Sequence, residues 1–323
     1  GGSWALYMLS YCYISDVTEE QARSYRLAVL TMTTYCSLIF GTALAPLLMM
    51  SQQSLNPYPL IFFLSAFLLL VCAIYTHYCL EESVVVELGE ETSFFRCSHV
   101  RDSILSCFQS RSGYARTMLF LIAALLSINV FVNEGESAVM YLSLREMFSW
   151  QLLDFSTFNC FVNITAGLGA FAGVWLFSSL MGLPNMLVVA LLFMPRVARS
   201  LIMALAHSGL HFYISAAIAT FTSAHSPLCR TEISRMVPKK DLGKVFALIS
   251  FLESLSPIIA TPLYTLVYQL TFLYYPGAVY FFSAAFCVVA VLLAIIVYVL
   301  QRIVRGECYC SDLVRDSHVQ TVD

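Results

Sequence analysis

Several charged side chains of this chain stand inside long apolar segments: Glu134, Glu136, Arg196, Arg199 and Glu253. A charge at the centre of a hydrocarbon layer costs roughly 2.5–3.5 kcal/mol on insertion scales, so it needs a partner or a polar cavity. Carboxylates in such places exchange protons, and guanidinium groups bind carboxylate or phosphate in a fork. We therefore predict a polar pathway for substrate or protons among these segments.

Glu253 is a deep acid of this kind. It lies ten residues into its predicted span, about 15 Å deep at 1.5 Å per residue. Pro257 has no N–H to donate to the carbonyl of residue 253, so the helix is already interrupted there. Two interpretations stay open: the carboxyl exchanges protons at mildly acidic pH, or it is neutral, bonds to a neighbouring helix and has a purely structural role.

A second polar group occupies the stretch NVFVNEGESAVMY, which contains Asn129, Asn133, Glu134 and Glu136. On a regular helix the two acids point about 200° apart, so we expect only one of them at a shared cavity unless Gly135 kinks the helix. The alternative places these residues near the outer interface, where water solvates the acids.

Arg196 and Arg199 follow Pro195 and are three residues apart, so they share one helix face. A pair of guanidinium groups suits an anionic substrate. An ion pair with a neighbouring helix, or contact with lipid head groups, is the alternative.

The segments that hold these residues are long enough to span a membrane. The chain has 323 residues, of which 59% are hydrophobic and 11% charged, more apolar than one soluble core requires. Crossing the hydrocarbon takes about 20 apolar residues per helix. The runs are continuous rather than alternating, so we predict an all-α integral membrane protein. The nine predicted spans are 1–15, 27–50, 59–80, 117–144, 152–180, 185–206, 210–229, 244–268 and 277–303.

Basic residues predict the orientation, because Lys and Arg in short loops stay in the cytoplasm. Most of the 17 basic residues fall in alternate loops, around Arg23, between Arg96 and Arg116, between Arg230 and Lys244, and in the tail 305–323. The opposite loops contain only Arg145. The segment 81–116 is predicted to be a cytoplasmic connector with an interfacial helix, which leaves three spans before it, in 1–80, and six after it, in 117–304.

Motifs for hydrolysis, nucleotide binding or metal binding are absent from the sequence, so we expect no enzyme, no catalytic residues, no cofactor and no metal site. The expected partners are a small organic anion, protons and membrane lipid, and no nucleic acid. A receptor or scaffold that binds a ligand without moving it is the alternative.

Three stretches carry a family resemblance: RTEISRMVPKKDLGKVFALISFLESLSP, YPGAVYFFSAAF and GGSWALYMLSYCYISDVTEEQARSYRLAVL. They resemble the major facilitator superfamily, and within it solute carrier family 46, the proton-coupled folate transporter family. The resemblance implies two six-helix halves, of which this chain would hold the fourth to the twelfth helix. It also implies a multi-pass protein of the plasma or endolysosomal membrane that moves a folate-like molecule, haem or a peptidoglycan fragment by alternating access, coupled to protons.

The resemblance also suggests roles for two further residues. Arg230 matches an arginine that the family keeps before its Ser-Arg-x-Val-Pro turn, and Asp16 occupies the corresponding place in the first half. Together they imply a cytoplasmic gate, with interface anchoring as the alternative. Thr31 and Phe131 depart from the family pattern, because proton-coupled members can carry a carboxylate and a histidine there.

Overall fold

A computed structural model of the protein describes residues 2–51, 58–80 and 114–319. The described ranges contain α-helices, a 3-10 helix and a π-helix, and no strand occurs in them. The ten α-helices are α1 Gly2–Val17, α2 Glu20–Ser51, α3 Tyr58–Cys79, α4 Ala115–Phe148, α5 Leu152–Gly173, α6 Asn185–Ala204, α7 Gly209–Ile218, α8 His225–Met236, α9 Lys239–Thr271 and α10 Ala278–Val319.

Each of the nine predicted spans overlaps at least one described helix. Seven of the described helices are long and apolar enough to cross a membrane: α2, α3, α4, α5, α6, α9 and α10. Helix α1 has 16 residues and α7 has 10, so both are shorter than these seven. The protein is therefore an all-α, multi-pass membrane protein, as predicted.

The predicted span 210–229 is not one continuous helix. Helix α7 ends at Ile218, a 3-10 turn covers Thr220–Ala224, and α8 begins at His225. Pro227 cannot donate the backbone hydrogen bond that a continuous helix would need, and it is tolerated within the first turn of α8. The break places polar side chains of the 3-10 turn in the interior of the helix assembly.

Helix α4 lies near the centre of the described helices. It packs against α9 and α10, while α10 also covers α6, and the largest buried apolar cluster draws its residues mainly from α4, α6, α8, α9 and α10. Helix α2 packs along α5 and so joins the predicted first half to the second.

A close approach of α5 to the 3-10 turn depends on glycine. A Cβ at Gly169 would overlap the backbone carbonyl of Thr220, and Ser223 donates a hydrogen bond to the carbonyl of Ala166 on α5. The turn is therefore held against α5 by backbone contact.

Two further regions were predicted from the sequence, the connector 81–116 and the tail 305–323. An interfacial helix was predicted within 81–116. Residues 81–113 of that segment lie outside the described residues. Helix α10 continues to Val319, so most of the predicted tail 305–323 has a helical backbone.

Candidate functional site

A cavity of about 620 Å³ lies between the predicted halves. Helices α1 and α2 border it on one side, and α4, α5, α6, α8 and α9 border it on the other. Its wall contains all seven residues predicted for the substrate or proton pathway, and Arg230 as well: Asn129, Asn133, Glu134, Glu136, Arg196, Arg199, Arg230 and Glu253. Residues from four different helices thus meet at one polar cavity, although whether they bind substrate or protons stays a prediction.

The central ion pair joins α8 to α9. One nitrogen of Arg230, Nη2, donates to both carboxylate oxygens of Glu253, at 2.7 and 2.9 Å. The two side chains are only 4% and 2% exposed. The guanidinium group also lies over the ring of Tyr11 from α1, 4.4 Å from its centroid. Arg230 therefore links three helices, and within the part of the chain that the structure describes its Nε and Nη1 atoms have no hydrogen-bond partner.

Tyr11 extends this contact into the predicted first half. Its hydroxyl is 2.8 Å from the Thr31 hydroxyl, which in turn donates to the carbonyl of Leu27. Thr31 replaces the expected carboxylate at a position that does line the cavity.

Arg196 and Arg199 face α4 and not the lipid. Arg196 Nη2 donates to Asn133 Oδ1 at 2.6 Å, and Arg199 Nη2 lies 3.8 Å from Glu136 Oε2. An ion pair with a neighbouring helix was one of the alternatives for this pair. Both arginines keep an Nε atom without a partner, and both border the cavity, so they remain able to contact a ligand.

Both acids of α4 reach the cavity, which differs from the expectation that only one would. Helix α4 is continuous from Ala115 to Phe148. The cavity wraps around much of α4, with Glu136 only 3% exposed next to Arg199 and Glu134 more accessible. Among the described residues, no side chain forms an ion pair or hydrogen bond with the Glu134 carboxylate.

The predicted cytoplasmic end is joined by contacts between the halves. Arg23 Nη1 donates to Ser234 Oγ at 2.9 Å, and Ser24 Oγ lies 3.2 Å from Thr231 Oγ1. Asp16 is near this end of α1, is partly buried, and does not line the cavity. Arg230 lies at the cavity wall and Asp16 does not, and the gate of these two residues stays a prediction.

Sequence reasoning missed several residues of the site. It did not place Tyr11 or His225 in the pathway, and it used Arg23 only to predict the orientation. Glu232 was also missed, although it is buried and accepts bonds from Asn185, Arg235 and Gln301. The run of polar residues from Thr220 to His225 inside an apolar segment was the one signal that could have indicated His225.

The comparisons with known proteins agree with this architecture. The human organic anion transporter MFSD10 (TETRAN) superposes with a TM-score of 0.69 at 15% identity, over 89% of this chain and 67% of that one. The fucose:proton symporter of E. coli superposes with a TM-score of 0.64 at 14% identity, over 90% and 73%. The fold is that of the major facilitator superfamily.

Sequence comparison identifies the family of the chain's relatives. The chain is 26% identical over 291 residues to a probable peptidoglycan muropeptide transporter, SLC46, of Drosophila melanogaster, which covers 88% of this chain and 55% of the relative. It is 24% identical to the mouse lysosomal proton-coupled steroid conjugate and bile acid symporter SLC46A3, over 70% of this chain and 50% of the relative. No family model matches the chain. Its relatives are thus members of solute carrier family 46, and the predicted resemblance is confirmed.

The chain spans about half the length of these two curated relatives. All the relatives and structural neighbours reported above are named as transporters rather than enzymes, in agreement with the expectation that this chain is no enzyme.

Proposed function

We propose that the protein is a secondary transporter that moves an organic anion across the membrane by alternating access, coupled to protons. The observation that carries the proposal is the presence of three guanidinium groups, from Arg196, Arg199 and Arg230, at one cavity among membrane-spanning helices. Each keeps at least one nitrogen without a partner. Buried donors without acceptors are costly, and an anion that enters the cavity would satisfy them.

The charge balance of the cavity supports coupling to a proton. Glu253 neutralises Arg230, and Glu136 neutralises Arg199. Arg196 donates a hydrogen bond to the neutral Asn133 and shares the charge of Glu136 with Arg199, and among the described residues Glu134 has no ion pair or hydrogen bond. When Glu134 binds a proton, the six charged groups retain one net positive charge, which a monoanion neutralises. Anion and proton would then favour each other's binding.

The same balance assigns different roles to the three candidate acids. Glu134 would carry the proton, because its protonation breaks no ion pair. Glu136 and Glu253 would hold arginines in place, since protonating either would leave a guanidinium group without its counter-charge.

The substrate class is proposed from the relatives. Their names specify muropeptides, steroid conjugates and bile acids, and the human structural neighbour is an organic anion transporter. We propose that this protein takes an organic anion of comparable kind, and that peptidoglycan fragments and bile acid conjugates are the first probes. Folate-like molecules and haem belong to the same broad class.

Uptake of a radiolabelled bile acid conjugate tests the proposal, in cells that express the gene's complete product at acidic and neutral external pH. Uptake should exceed the number of binding sites and rise as external pH falls. Arg196→Ala should weaken affinity by about 10–100-fold, which is the worth of one hydrogen bond to a charged group. Arg302→Ala is the matched control, because Arg302 is exposed and contacts Tyr298 on its own helix.

Glu134→Gln should flatten the pH dependence and leave binding intact, whereas Glu146→Gln, an exposed acid on the same helix, should change neither. Accumulation that stops at one ligand per protein would instead favour a receptor or scaffold. A pH profile unchanged by Glu134→Gln would show that Glu134 does not carry the coupled proton.

A further inference from the structure

One buried side chain of the cavity has no role in the account above. His225 is the first residue of α8, directly after the 3-10 turn, and it is 4% exposed. It lines the same cavity as Arg196 and Arg230.

The hydrogen bond made by one ring nitrogen of His225 determines whether the other ring nitrogen donates or accepts. His225 Nδ1 lies 2.6 Å from the backbone carbonyl oxygen of Thr222. A carbonyl oxygen only accepts hydrogen bonds, so Nδ1 must carry the hydrogen. In a neutral imidazole the other nitrogen, Nε2, is then an acceptor. This acceptor is buried and has no hydrogen-bond partner among the described residues.

The surroundings of His225 are apolar and buried. Its side chain is 4% exposed and its ring centroid lies 5.1 Å from that of Phe193, and burial disfavours the charged form of an imidazole. Glu253, the acid that faces this region from α9, is already paired with Arg230. Glu136 on α4 lies beside Arg199 on α6. An acceptor role for Nε2 requires the neutral ring, and these two acids are directed at arginines rather than at His225.

Apart from the arginine nitrogens and His225 Nε2, three described atoms without a hydrogen-bond partner border the cavity. The oxygen and nitrogen of the Asn129 amide can exchange places, and the Thr222 hydroxyl can donate or accept. Glu136 Oε1 is a fixed acceptor, but it belongs to a carboxylate beside Arg199, whose negative charge would repel an anion. His225 Nε2 is a neutral acceptor held by a backbone bond, beside arginine donors that lack acceptors.

We propose that His225 Nε2 accepts a hydrogen bond from the substrate. Arginine donors and a neutral acceptor side by side fit an anion that carries an N–H or O–H donor next to its acidic group. This inference rests on the proposed transport of an organic anion and specifies its chemistry further: an amide-linked or hydroxylated acid should be preferred to the same acid without that donor.

Two matched ligands test the inference with the purified protein. One is a bile acid conjugated to glycine, which has an amide N–H beside its carboxylate. The other is the same bile acid conjugated to sarcosine, in which a methyl group replaces that hydrogen. The wild-type protein should bind the glycine conjugate about tenfold more tightly, the effect of one buried hydrogen bond.

Variants separate this effect from steric hindrance by the methyl group. His225→Leu should bind both conjugates with equal affinity, because the acceptor is gone while the added methyl group remains. His211→Leu, a histidine on α7 outside the cavity wall, should keep the preference. Thr222→Val should also keep it, because the backbone carbonyl that holds the tautomer is unchanged. An unaltered preference in His225→Leu, or its loss in Thr222→Val, would overturn the inference.

The wild-type results also distinguish this inference from the proposed function. Equal affinities for the two conjugates would overturn the inference alone, whereas no binding of either would overturn both. A ¹⁵N NMR spectrum of the histidine-labelled wild-type protein does not depend on any variant for its folding. It should show His225 protonated at Nδ1, with an Nε2 signal that shifts on addition of the glycine conjugate only. Protonation at Nε2 in the free protein would be a direct contradiction.

Discussion

The ion pair between Arg230 and Glu253 predicts a large loss of stability when only one partner is removed. Its two contacts of 2.7 and 2.9 Å are made in a site where the side chains are 4% and 2% exposed. Glu253→Leu would leave the guanidinium charge buried without compensation, which costs about 3–5 kcal/mol. The double variant Arg230→Met with Glu253→Leu removes both charges and should recover most of that loss, since an apolar pair of similar volume is often as stable.

The assay is unfolding in mixed micelles, followed by circular dichroism as the denaturing detergent is increased. The matched control is Lys244→Ala. Lys244 and Asp241 are 3.8 Å apart, and the lysine is 46% exposed, so this pair contributes at most about 1 kcal/mol. A Glu253→Leu variant as stable as the Lys244→Ala variant would refute the reasoning. So would a double variant less stable than Glu253→Leu, because the buried charge would then not be the cause of the loss.

Three further results are expected. Gly169→Ala should destabilise the protein by about 1–3 kcal/mol in the same assay, because its Cβ would meet backbone, whereas Gly41→Ala, with open space around it, should not destabilise it. Tags inserted at 240 and at 273 should be accessible from opposite sides of the membrane in intact cells, and equal accessibility would contradict the predicted orientation. Deletions within 83–95 should reduce uptake by the gene's complete product less than Glu253→Leu does, and the reverse order would give the connector an unexpected role.

The helices and their order could be predicted from the sequence, because a span depends on the local run of apolar residues and on the thickness of the hydrocarbon layer. The predicted span 185–206 corresponds to α6, Asn185–Ala204, and 59–80 to α3, Tyr58–Cys79. The rule failed at 210–229, where a proline and a run of polar residues interrupt the helix. Hydropathy averaged over a whole span does not reveal a local break of that kind.

The residue types of the site could also be predicted, since charges inside apolar segments are few and costly. Their pairing could not. Arg230 and Glu253 are 23 residues apart, and Arg196 and Asn133 are 63 apart. Whether such residues meet depends on how each helix is rotated and which helices are neighbours, which is decided by packing over the whole assembly. For the same reason His225 could not be assigned to the site from the sequence, whereas the bond from its ring to the Thr222 carbonyl distinguishes it.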